Sequence, residues 1–330
     1  AATSNGIKIA VVGSGPASLS FAGDMVRKGY SVHVFEALHE IGGVLKYGIP
    51  EFRLPNDIVD YEIEQLRRAG VEFTPDIVVG KTLSYDDLKE QGYRGIFVAS
   101  GAGLPRFMDI PGENYIGVMS SNEYLTRVNL MGAGRQGWKT PVIKGKRVAV
   151  IGGGNTAMDS CRTARRMGAE EVYIVYRRSE AEMPARVEEV HHAKQEGVTF
   201  LTLHNPVEYL ADENGRVRAM RLQRMELGEP DASGRRSPVP VEGDIVEVPV
   251  DEVIVSVGVS PNPLIPSTIP GLETTRRGTI VADEATLETT VPMLFAGGDI
   301  VRGGATVILA MGDGRRAAAA MDRALSQHDI

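Results

Sequence analysis

The sequence predicts an α/β fold with two Rossmann-like dinucleotide-binding domains, one inserted in the other. Two observations carry this prediction: a strand–turn–helix–strand pattern at residues 7–36, and a second copy of that pattern at 147–176. In each copy the turn is rich in glycine, which lets backbone approach a pyrophosphate at the N-terminus of the following helix. One such pattern is weak evidence, whereas two in one chain predict two nucleotide sites.

The first copy has every part that a dinucleotide site requires. An apolar strand at 7–12 is typical of a strand buried on both faces, and Gly29 ends the helix that follows. The turn between them is formed by Gly13, Gly15, Pro16 and Ala17. The next strand, at 31–35, finishes on Glu36, where a carboxylate can accept hydrogen bonds from ribose hydroxyls.

Three later stretches are predicted to line the same site. The loop at 41–55 is too rich in glycine and proline for a helix and too apolar for a linker, so we expect its backbone to lie along a ligand. The strand at 96–100 ends in small residues, which leave room at the crevice of the sheet. Asp299 ends another strand, and the helix that begins at Ala305 and Thr306 offers free N–H groups to an acceptor that gains negative charge.

The second copy differs from the first at the residue that reads the ribose. Its turn runs from Gly152 to Ala157, but Arg177 and Arg178 stand where the first copy has Glu36. An acid there would repel a 2′-phosphate, whereas guanidinium groups bind one. A charge-assisted hydrogen bond contributes about 1.5–3 kcal/mol, or roughly 10- to 150-fold in affinity, so we expect NADP(H) to be preferred over NAD(H). The alternative is that the two arginines only solvate a strand end.

Composition excludes several other functions. The net charge of −7 comes with no basic block, which argues against nucleic acid. No apolar run is long enough to span a membrane, the first residues are no signal peptide, and we expect a cytoplasmic protein. A single cysteine, Cys161, allows no internal disulfide or CxxC pair, and we expect it to be a buried small residue. His191 and His192 are expected on a solvated helix face without a metal.

The remaining segments are assigned from the same patterns. Helices are predicted at 57–68 (capped by Asn56 or Asp57), 83–89, 122–130, 182–196 and from about 305 to 325; strands at 73–80, 217–227, 252–257 and 293–299; a hinge at 131–144; and an exposed loop at 228–243. The strand at 252–257 meets Gly258, as a central parallel strand would.

Five blocks of sequence resemble a known family over nearly the whole chain. They are GGVLKYGIPEFRLP (42–55), VIGGGNTAMD (150–159), VYRRSEAEMPAR (175–186), MELGEPDASGRR (225–236) and FAGGDIVRGGATVILAMGDGRRAA (295–318). The chain resembles the flavoproteins with two dinucleotide-binding domains, which include thioredoxin reductases and adrenodoxin reductase. Within them it is most similar to the small (beta) subunit of glutamate synthase and to the large subunit of NADH-dependent ferredoxin–NADP oxidoreductase (sulfide dehydrogenase).

The resemblance implies FAD in the first site and NADPH in the second. The residues implied for FAD are Gly13, Gly15, Pro16, Ala17, Glu36, Gly43, Leu45, Gly48, Arg53, Ser100, Gly101, Gly298, Asp299, Ala305 and Thr306. Those implied for NADPH are Gly153, Gly154, Asn155, Thr156, Arg177, Arg178 and Gly258. The FAD domain would comprise residues 1–116 and 263–330, with the NADPH domain, 117–262, inserted between them.

The implied function is an NADPH-dependent flavin oxidoreductase. A hydride passes from nicotinamide C4 to flavin N5 without a catalytic side-chain acid or base, and electrons continue to an iron–sulfur protein or large-subunit partner of glutamate synthase or ferredoxin type. A ferredoxin- or quinone-type acceptor stays open, and the single cysteine excludes a dithiol reductase. The alternative is a non-enzymatic flavin-binding docking subunit, which has no use for the selectivity of Arg177 and Arg178.

The sequence departs from the family pattern in three places. Ser18 replaces the third fingerprint glycine, and Ser100 stands where the family more often has threonine. Relatives also carry an N-terminal cysteine-rich domain that binds two iron–sulfur clusters, of which this sequence contains nothing. Either that domain was removed from the chain or the protein uses another electron carrier.

Overall fold

The chain folds into two compact units. The structure, a computed structural model, describes residues 2–304 and 306–327. The divided unit takes the chain up to Leu104 and again from Val259, and the inserted unit is Pro105–Gly258.

The elements follow one another along the chain as alternating strands and helices. The strands are β1 (Lys8–Val12), β2 (Ser31–Phe35), β3 (Glu72–Thr74), β4 (Tyr93–Val98), β5 (Leu104–Pro105), β6 (Val118–Ser120), β7 (Arg147–Ile151), β8 (Glu171–Tyr176), β9 (Thr199–Thr202), β10 (His204–Ala211), β11 (Val217–Pro230), β12 (Arg236–Pro249), β13 (Glu252–Val255), β14 (Val259–Ser260) and β15 (Leu294–Ala296). The helices are α1 (Pro16–Arg27), α2 (Val44–Tyr47), α3 (Asn56–Arg68), α4 (Tyr85–Glu90), α5 (Ser121–Leu125), α6 (Asn155–Arg166), α7 (Val187–Gln195), α8 (Leu264–Thr268), α9 (Asp299–Arg302) and α10 (Val307–Ser326).

The divided unit is built on a parallel sheet with the strand order β15–β4–β1–β2–β3. Strand β1 lies at its centre, and successive side chains point to opposite faces. Ile9 and Val11 join the core formed with helices α1 and α10, whereas Ala10 and Val12 join a second core on the other face. Burial on both faces explains why β1 is an unbroken apolar run.

The inserted unit repeats this arrangement with the order β6–β13–β7–β8–β9, again parallel. Val148 and Val150 of β7 pack on the side of helix α6, and Ala149 and Ile151 pack on the other side. That second side is covered by an antiparallel sheet, β10–β11–β12, through residues such as Leu222. In both parallel sheets the glycine-rich turn follows the central strand, where the order of strands reverses and ligands bind in this class of fold.

The units divide at 104/105 and 258/259, whereas the sequence placed the boundaries at 116/117 and 262/263. The segment that follows Pro105 packs on the core of the inserted unit through Met108, Ile110 and Tyr115. Its backbone is also bound there, since the N–H of Tyr209 donates to the carbonyl of Pro111 at 2.9 Å. The segment from Pro105 to Tyr115 is therefore part of the inserted unit.

The predicted exposed loop at 228–243 is wrong, because most of it continues a long hairpin. Strand β11 runs on to Pro230 and β12 begins at Arg236, so only residues 231–235 turn. Beyond Met225 this hairpin is largely exposed on both faces, and its sequence therefore lacks the alternation of apolar and polar residues that marks a half-buried strand.

One predicted loop and two predicted helices differ in the structure. The loop at 41–55 contains one turn of helix, α2, between Gly43 and Gly48. Helix α3 follows Pro55 without a side-chain cap from Asn56 or Asp57. The helix predicted at 122–130 ends as α5 and continues as a π-helical turn.

Two further predicted elements are shorter. The strand predicted at 73–80 stops at Thr74, because Pro75 lacks an N–H and Asp76 has a positive φ of 59°. The helix predicted at 182–196 begins only at Val187, after a short 3₁₀ turn at Glu180–Glu182. Within the described ranges, no helix combines the length and apolar character needed to cross a membrane.

Candidate dinucleotide-binding sites

The first glycine-rich turn is packed so closely that its leading residue must be glycine. Gly13 has φ +95°, and a Cβ placed there would lie 2.4 Å from the carbonyl oxygen of Ala99. Its N–H donates to the carbonyl of Phe35 at 2.8 Å, which joins the end of β1 to the end of β2. At Gly15, the residue before α1, a Cβ would have nothing within 4 Å. The start of α1, with Pro16 in its first turn and Ala17 buried, therefore faces open space.

A buried carboxylate stands beside this turn. Glu36 is 6 % exposed, and its Oε1 accepts a hydrogen bond from Ser14 Oγ at 2.9 Å. Its Oε2 accepts one from the N–H of Ala37 at 2.8 Å. Burial raises the pKa of Glu36, against the opposing effect of these hydrogen bonds. The N–H of Gly42 donates to the same Ser14 Oγ at 2.9 Å, so Ser14 connects the turn, the acid and the next loop.

The loop at 41–55 reaches back to the glycine turn. Gly43 has φ +57°, and a Cβ there would lie 2.9 Å from Cα of Gly15. Helix α2 follows, in which Leu45 packs beside the small core of Ile41, Val59 and Ile63. A Cβ on Gly48, which ends α2, would lie 2.7 Å from Val44 Cγ2. Arg53 is half-buried, and its N–H donates to the carbonyl of Pro50 at 2.9 Å.

Tyr47 lies in α2 near two carboxylates of the first site. Burial, together with the charges of Asp299 and Glu36, raises the pKa of Tyr47 to about 12. The loop that carries Tyr47 thus comes close both to Glu36 after β2 and to Asp299 at the start of α9. Sequence reasoning did not select Tyr47, whose only signal was its position inside the glycine-rich loop.

The turn after β15 is held by a buried acid that sequence reasoning also missed. Asp313, on α10, is fully buried, and its Oδ2 accepts the N–H of Gly298 at 2.9 Å. Arg302 donates to both carboxylate oxygens, from Nε at 2.8 Å and from Nη2 at 2.7 Å, and Arg316 donates to Oδ1. These bonds hold the pKa of Asp313 below its usual range although burial opposes them. We call Asp313, Arg302 and Arg316 the clasp. It fixes Gly298, which has φ +75°, and with it Asp299 at the start of α9.

The other predicted residues of the first site lie at strand and helix ends. Ser100 follows β4 and is exposed, and Gly101 has φ +78° with open space where a Cβ would be. Thr306 caps α10, because its Oγ1 accepts the N–H of Leu309 at 3.2 Å. Ala305 lies outside the described residues.

The second glycine-rich turn repeats the close packing of the first. Gly152 has φ +139°, and a Cβ there would lie 2.1 Å from the carbonyl oxygen of Ser256. A Cβ on Gly153 would lie 2.8 Å from the ring of Tyr176, whereas at Gly154 the nearest atom, Pro184 Cγ, is 3.9 Å away. Gly154 precedes α6, and Thr156 in the first turn of α6 is exposed. Gly258, at the far end of the unit, is exposed with φ +109°.

The segment at 183–186 is bound to this turn, which explains why α7 begins late. The N–H of Ala185 donates to the carbonyl of Gly153 at 3.1 Å. The N–H of Arg186 donates to Asn155 Oδ1 at 2.9 Å. These two N–H groups therefore donate to the glycine-rich turn and to the start of α6, and not to carbonyl groups within a helix.

The two arginines after β8 have different environments. Arg177 is exposed and makes no ion pair with any residue that the structure describes. Arg178 is only 5 % exposed, and its Nη2 donates to Asp231 Oδ2 at 2.9 Å. The sequence predicted that both would face a phosphate, and in the structure only Arg177 is exposed, whereas Arg178 is buried and paired with Asp231. Asp231 lies 53 positions away in the hairpin, and nothing in the local pattern at 175–186 indicates this pairing.

Neither a reactive thiol nor a metal cluster is found elsewhere in the described residues. Cys161 is buried against α6 neighbours, and burial raises the pKa of its thiol, as expected for a packing residue. His191 and His192 are both exposed on α7, as predicted. No group of three or more His, Cys, Asp or Glu side chains could hold a metal ion in the ranges 2–304 and 306–327.

Comparison with known proteins gives matches over the same span. The pyridine nucleotide-disulphide oxidoreductase family matches residues 7–320. The subunit beta of NADP(+)-dependent formate dehydrogenase from Moorella thermoacetica is 44% identical over 99% of this chain and 45% of its own length. The small chain of NADPH glutamate synthase from Azospirillum brasilense is 38% identical over 95% of this chain and 65% of its own. The chain thus spans about half of one relative and about two thirds of the other.

Among solved structures, Mycobacterium tuberculosis FprA in complex with NADPH is similar, with a TM-score of 0.80 and 21% identity over 98% of this chain and 85% of that one. The fold is that of an oxidoreductase with two dinucleotide-binding units, as predicted. The chain belongs to the pyridine nucleotide-disulphide oxidoreductase family. Because that family binds FAD and NADP(H), membership confirms the predicted enzyme class and cofactor pair.

Proposed function

We propose that this chain is the NADPH-oxidising flavoprotein module of a larger electron-transfer enzyme, and that it passes electrons from NADPH through FAD to a partner protein. The observation that carries the proposal is the contrast between its two glycine-rich turns. One turn is followed by the buried carboxylate of Glu36, and the other by the exposed guanidinium of Arg177. Ribose hydroxyls suit the first environment and a 2′-phosphate suits the second.

We assign FAD to the divided unit, and the shape of its first site fits that group. Backbone without side chains surrounds the start of α1, where Gly43 approaches Gly15 and where a Cβ on Gly15 would meet only open space. A pyrophosphate would lie at these amides, with Glu36 on the adenosine ribose. Asp299 would bind a hydroxyl of the ribityl chain, and the N-terminal end of α10 at Thr306 would lie near the isoalloxazine ring.

We assign NADPH to the inserted unit. The amides of Gly153 and Gly154 and the start of α6 at Asn155 would hold its pyrophosphate, with Arg177 on the 2′-phosphate. Asn155 also binds the segment at 183–186, so this segment borders the proposed pyrophosphate position.

The residues of the chain serve this reaction by binding and orienting rather than by acid–base chemistry. When bound, FAD would supply the acceptor for a hydride from NADPH. The buried clasp of Asp313 and Arg302 keeps Gly298 and Asp299 in one conformation, which reduces the entropy lost on binding. The dipole of the N-terminal end of α10 would favour negative charge that develops on a group near Thr306.

The proposed partner is an iron–sulfur or large-subunit protein. Both relatives described above are named as a subunit or chain of a larger enzyme, one of formate dehydrogenase and one of glutamate synthase. The chain spans only part of each, so their complete activities are not assigned to it. The region that this chain shares with both relatives would be the one that accepts electrons from NADPH.

An anaerobic titration of the purified protein tests the proposal. The visible absorption of the flavin is followed as NADPH is added, with NADH as the control. We expect NADPH to bleach the flavin at stoichiometric amounts, and NADH to require a concentration roughly 10- to 150-fold higher. A yellow protein that neither nucleotide reduces would contradict the proposal and favour a non-enzymatic flavin-binding subunit.

A further inference from the structure

The tip of the β11–β12 hairpin is fixed beside the carboxyl end of β8. Arg178 donates from Nη2 to Asp231 Oδ2 at 2.9 Å and from Nε to the carbonyl of Arg236 at 2.9 Å. Asp231 is the first residue of the turn at the tip, and Arg236 is the first residue of β12. Arg178 is only 5 % exposed, and both bonds are charge-assisted and partly buried, which makes them stronger than bonds between neutral groups. The tip therefore has a defined place next to Arg177.

The tip itself is a closed turn organised by Asp231. The N–H of Asp231 donates to the carbonyl of Arg235 at 2.7 Å. Its Oδ1 accepts the N–H groups of Ser233 at 2.8 Å and of Arg235 at 3.3 Å. Since Oδ2 accepts from Arg178, both oxygens of this carboxylate are used in holding the turn. The guanidinium of Arg235 donates from Nε to the neutral Ser233 Oγ at 3.1 Å.

The charges at this place do not balance. Three guanidinium groups (Arg177, Arg178 and Arg235) and one carboxylate (Asp231) leave a net charge of +2 in the cluster. Burial and the positive charges of Arg178 and Arg235 lower the pKa of Arg177. Within the described part of the chain, neither Arg177 nor Arg235 forms an ion pair. A phosphate monoester carries a charge of about −1.5 to −2 at neutral pH and would match this excess.

Arg236 keeps its charge, but hydrogen bonds to backbone carbonyls fix its side chain. Its Nε donates to the carbonyl of Gly228 at 3.1 Å and its Nη2 to that of Leu227 at 2.9 Å, so its guanidinium is held along the hairpin. Arg235 is the member of the pair whose side chain remains available beside Arg177.

We propose that Arg235 is a specificity-determining residue that binds the 2′-phosphate of NADPH together with Arg177, while Arg178 and Asp231 are positioning residues that place it there. This inference rests on the proposed assignment of NADPH to the inserted unit. It gives the hairpin a role in nucleotide selection. It also separates the two adjacent arginines, one as a ligand and one as a support.

Binding of 2′,5′-ADP and of 5′-AMP to the flavin-loaded protein, measured by calorimetry, tests this assignment. These probes differ by the 2′-phosphate and need no electron acceptor. We expect Arg235→Gln to weaken 2′,5′-ADP by about 10- to 150-fold and to change 5′-AMP much less. Arg224→Gln is the matched control, because Arg224 lies on the same hairpin but pairs with Asp244 at 3.1 Å. It should leave both affinities at their original values.

Asp231→Asn separates positioning from simple electrostatics. If Asp231 were only an acid near the phosphate, its neutralisation would strengthen 2′,5′-ADP binding. If it holds the tip through Arg178, its neutralisation loosens Arg235, and we expect binding to weaken by about threefold or more. Stronger binding by this variant would overturn the positioning role.

The outcomes distinguish this inference from the function on which it rests. An unaltered protein that binds both probes equally would contradict the assignment of NADPH to this site. A clear preference for 2′,5′-ADP that Arg235→Gln leaves intact would refute the role of Arg235 alone, and the phosphate would then be bound by Arg177 without the hairpin.

Discussion

Gly15 and Gly154 occupy equivalent places in the two glycine-rich turns, each directly before a helix. Neither has a positive φ, since the values are −77° and −89°, and neither has a heavy atom closer than 3.9 Å to a Cβ placed on it. The structure alone therefore does not require glycine at these two positions. A bound pyrophosphate would require it, because a methyl group would occupy the space of a phosphate oxygen.

We accordingly predict that alanine at each position separates folding from binding. Gly15→Ala should weaken FAD roughly tenfold or more, and Gly154→Ala should do the same to NADPH, with no change in the unfolding midpoint of the ligand-free protein. Fluorescence titration and thermal unfolding measure the two effects. Gly13→Ala is the structural contrast, since its Cβ would meet the Ala99 carbonyl at 2.4 Å and should lower stability instead. Unchanged FAD affinity in Gly15→Ala would contradict the placement of the pyrophosphate.

Glu252, on β13, is a buried acid outside both sites. It is 1 % exposed, its Oε2 accepts the N–H of Gly145 at 2.8 Å, and Oε1 has no hydrogen-bond partner in the described structure. Burial, with a further contribution from Asp251, raises the pKa of Glu252 to about 7. The folded protein thus binds this proton more tightly than the unfolded chain does, and stability falls as pH rises from about 4.5 to 7.

Glu252→Gln should therefore stabilise the inserted unit at pH 8 but not at pH 4.5. A shift from 4.5 to about 7 corresponds to about 3 kcal/mol, and the glutamine can still accept the bond from Gly145. Denaturant unfolding at the two pH values measures the difference. Glu252→Ala is the control, because it removes the charge and the acceptor together. Equal stability of Glu252→Gln and the original chain at pH 8 would contradict the raised pKa, because a carboxyl with the same pKa in the folded and unfolded chain costs no stability when it ionises.

At the scale of elements, helices α1 and α10 cross at one small residue. A Cβ on Gly314 of α10 would lie 2.3 Å from the carbonyl oxygen of Ala17, on α1. Gly312 lies two positions earlier in the same helix, and a Cβ there would have nothing within 4 Å. Helix α10 thus contains one glycine that packing requires, Gly314, and one that packing does not require, Gly312.

Alanine at these two positions should have effects of opposite sign. Gly314→Ala forces α10 away from α1 and should lower the free energy of unfolding by about 1–3 kcal/mol. Gly312→Ala improves helix propensity and should raise it by about 0.5–1 kcal/mol. Chemical denaturation of the ligand-free protein compares them. Destabilisation by Gly312→Ala as large as that by Gly314→Ala would contradict the close crossing.

The elements also show where local sequence stopped being informative. Strands β1 and β7 were correctly predicted, because burial on both faces leaves an apolar run bounded by glycine. The distal half of the β11–β12 hairpin was predicted as a loop, because exposed strands carry no such signal. The late start of α7 depends on the bond from the N–H of Ala185 to the carbonyl of Gly153, which is distant in the chain, whereas the early end of β3 before Pro75 had a local signal.

The candidate sites divide in the same way. Gly13, Gly15, Glu36 and Arg177 could be selected because their roles follow from their positions in a strand–turn–helix unit. Ser14, Tyr47 and Asp313 could not, since each acts through a contact with another part of the fold. Their residue types are also common in turns and helices, and only the folded arrangement shows which atoms they reach.

At the scale of the whole molecule, each unit has a core of its own. The inserted unit buries two clusters, one on the α6 side and one on the side of the antiparallel sheet. Both clusters are made only from residues between 105 and 258, and the unit joins the rest of the chain at two points. A unit of this kind has the apolar burial required for independent folding.

We predict that residues 105–258, produced alone, fold cooperatively and bind 2′,5′-ADP with the affinity of the full chain. Thermal unfolding followed by circular dichroism should give a single sigmoidal transition, and calorimetry should give the same dissociation constant within about twofold. A chain cut at 117 and 262, as the sequence alone suggested, is the comparison. It lacks Met108, Ile110 and Tyr115 from the core and should unfold at a lower temperature.

The burial of Cys161 makes it possible to attach a spectroscopic label at one chosen position of this protein. The chain contains one cysteine, and that thiol is enclosed and hard to ionise. A cysteine introduced at the exposed Ala232, at the hairpin tip, would react with a maleimide dye or a nitroxide while the native thiol stays unlabelled. A reporter could thus be attached at the hairpin tip alone, and its mobility recorded as a nucleotide binds.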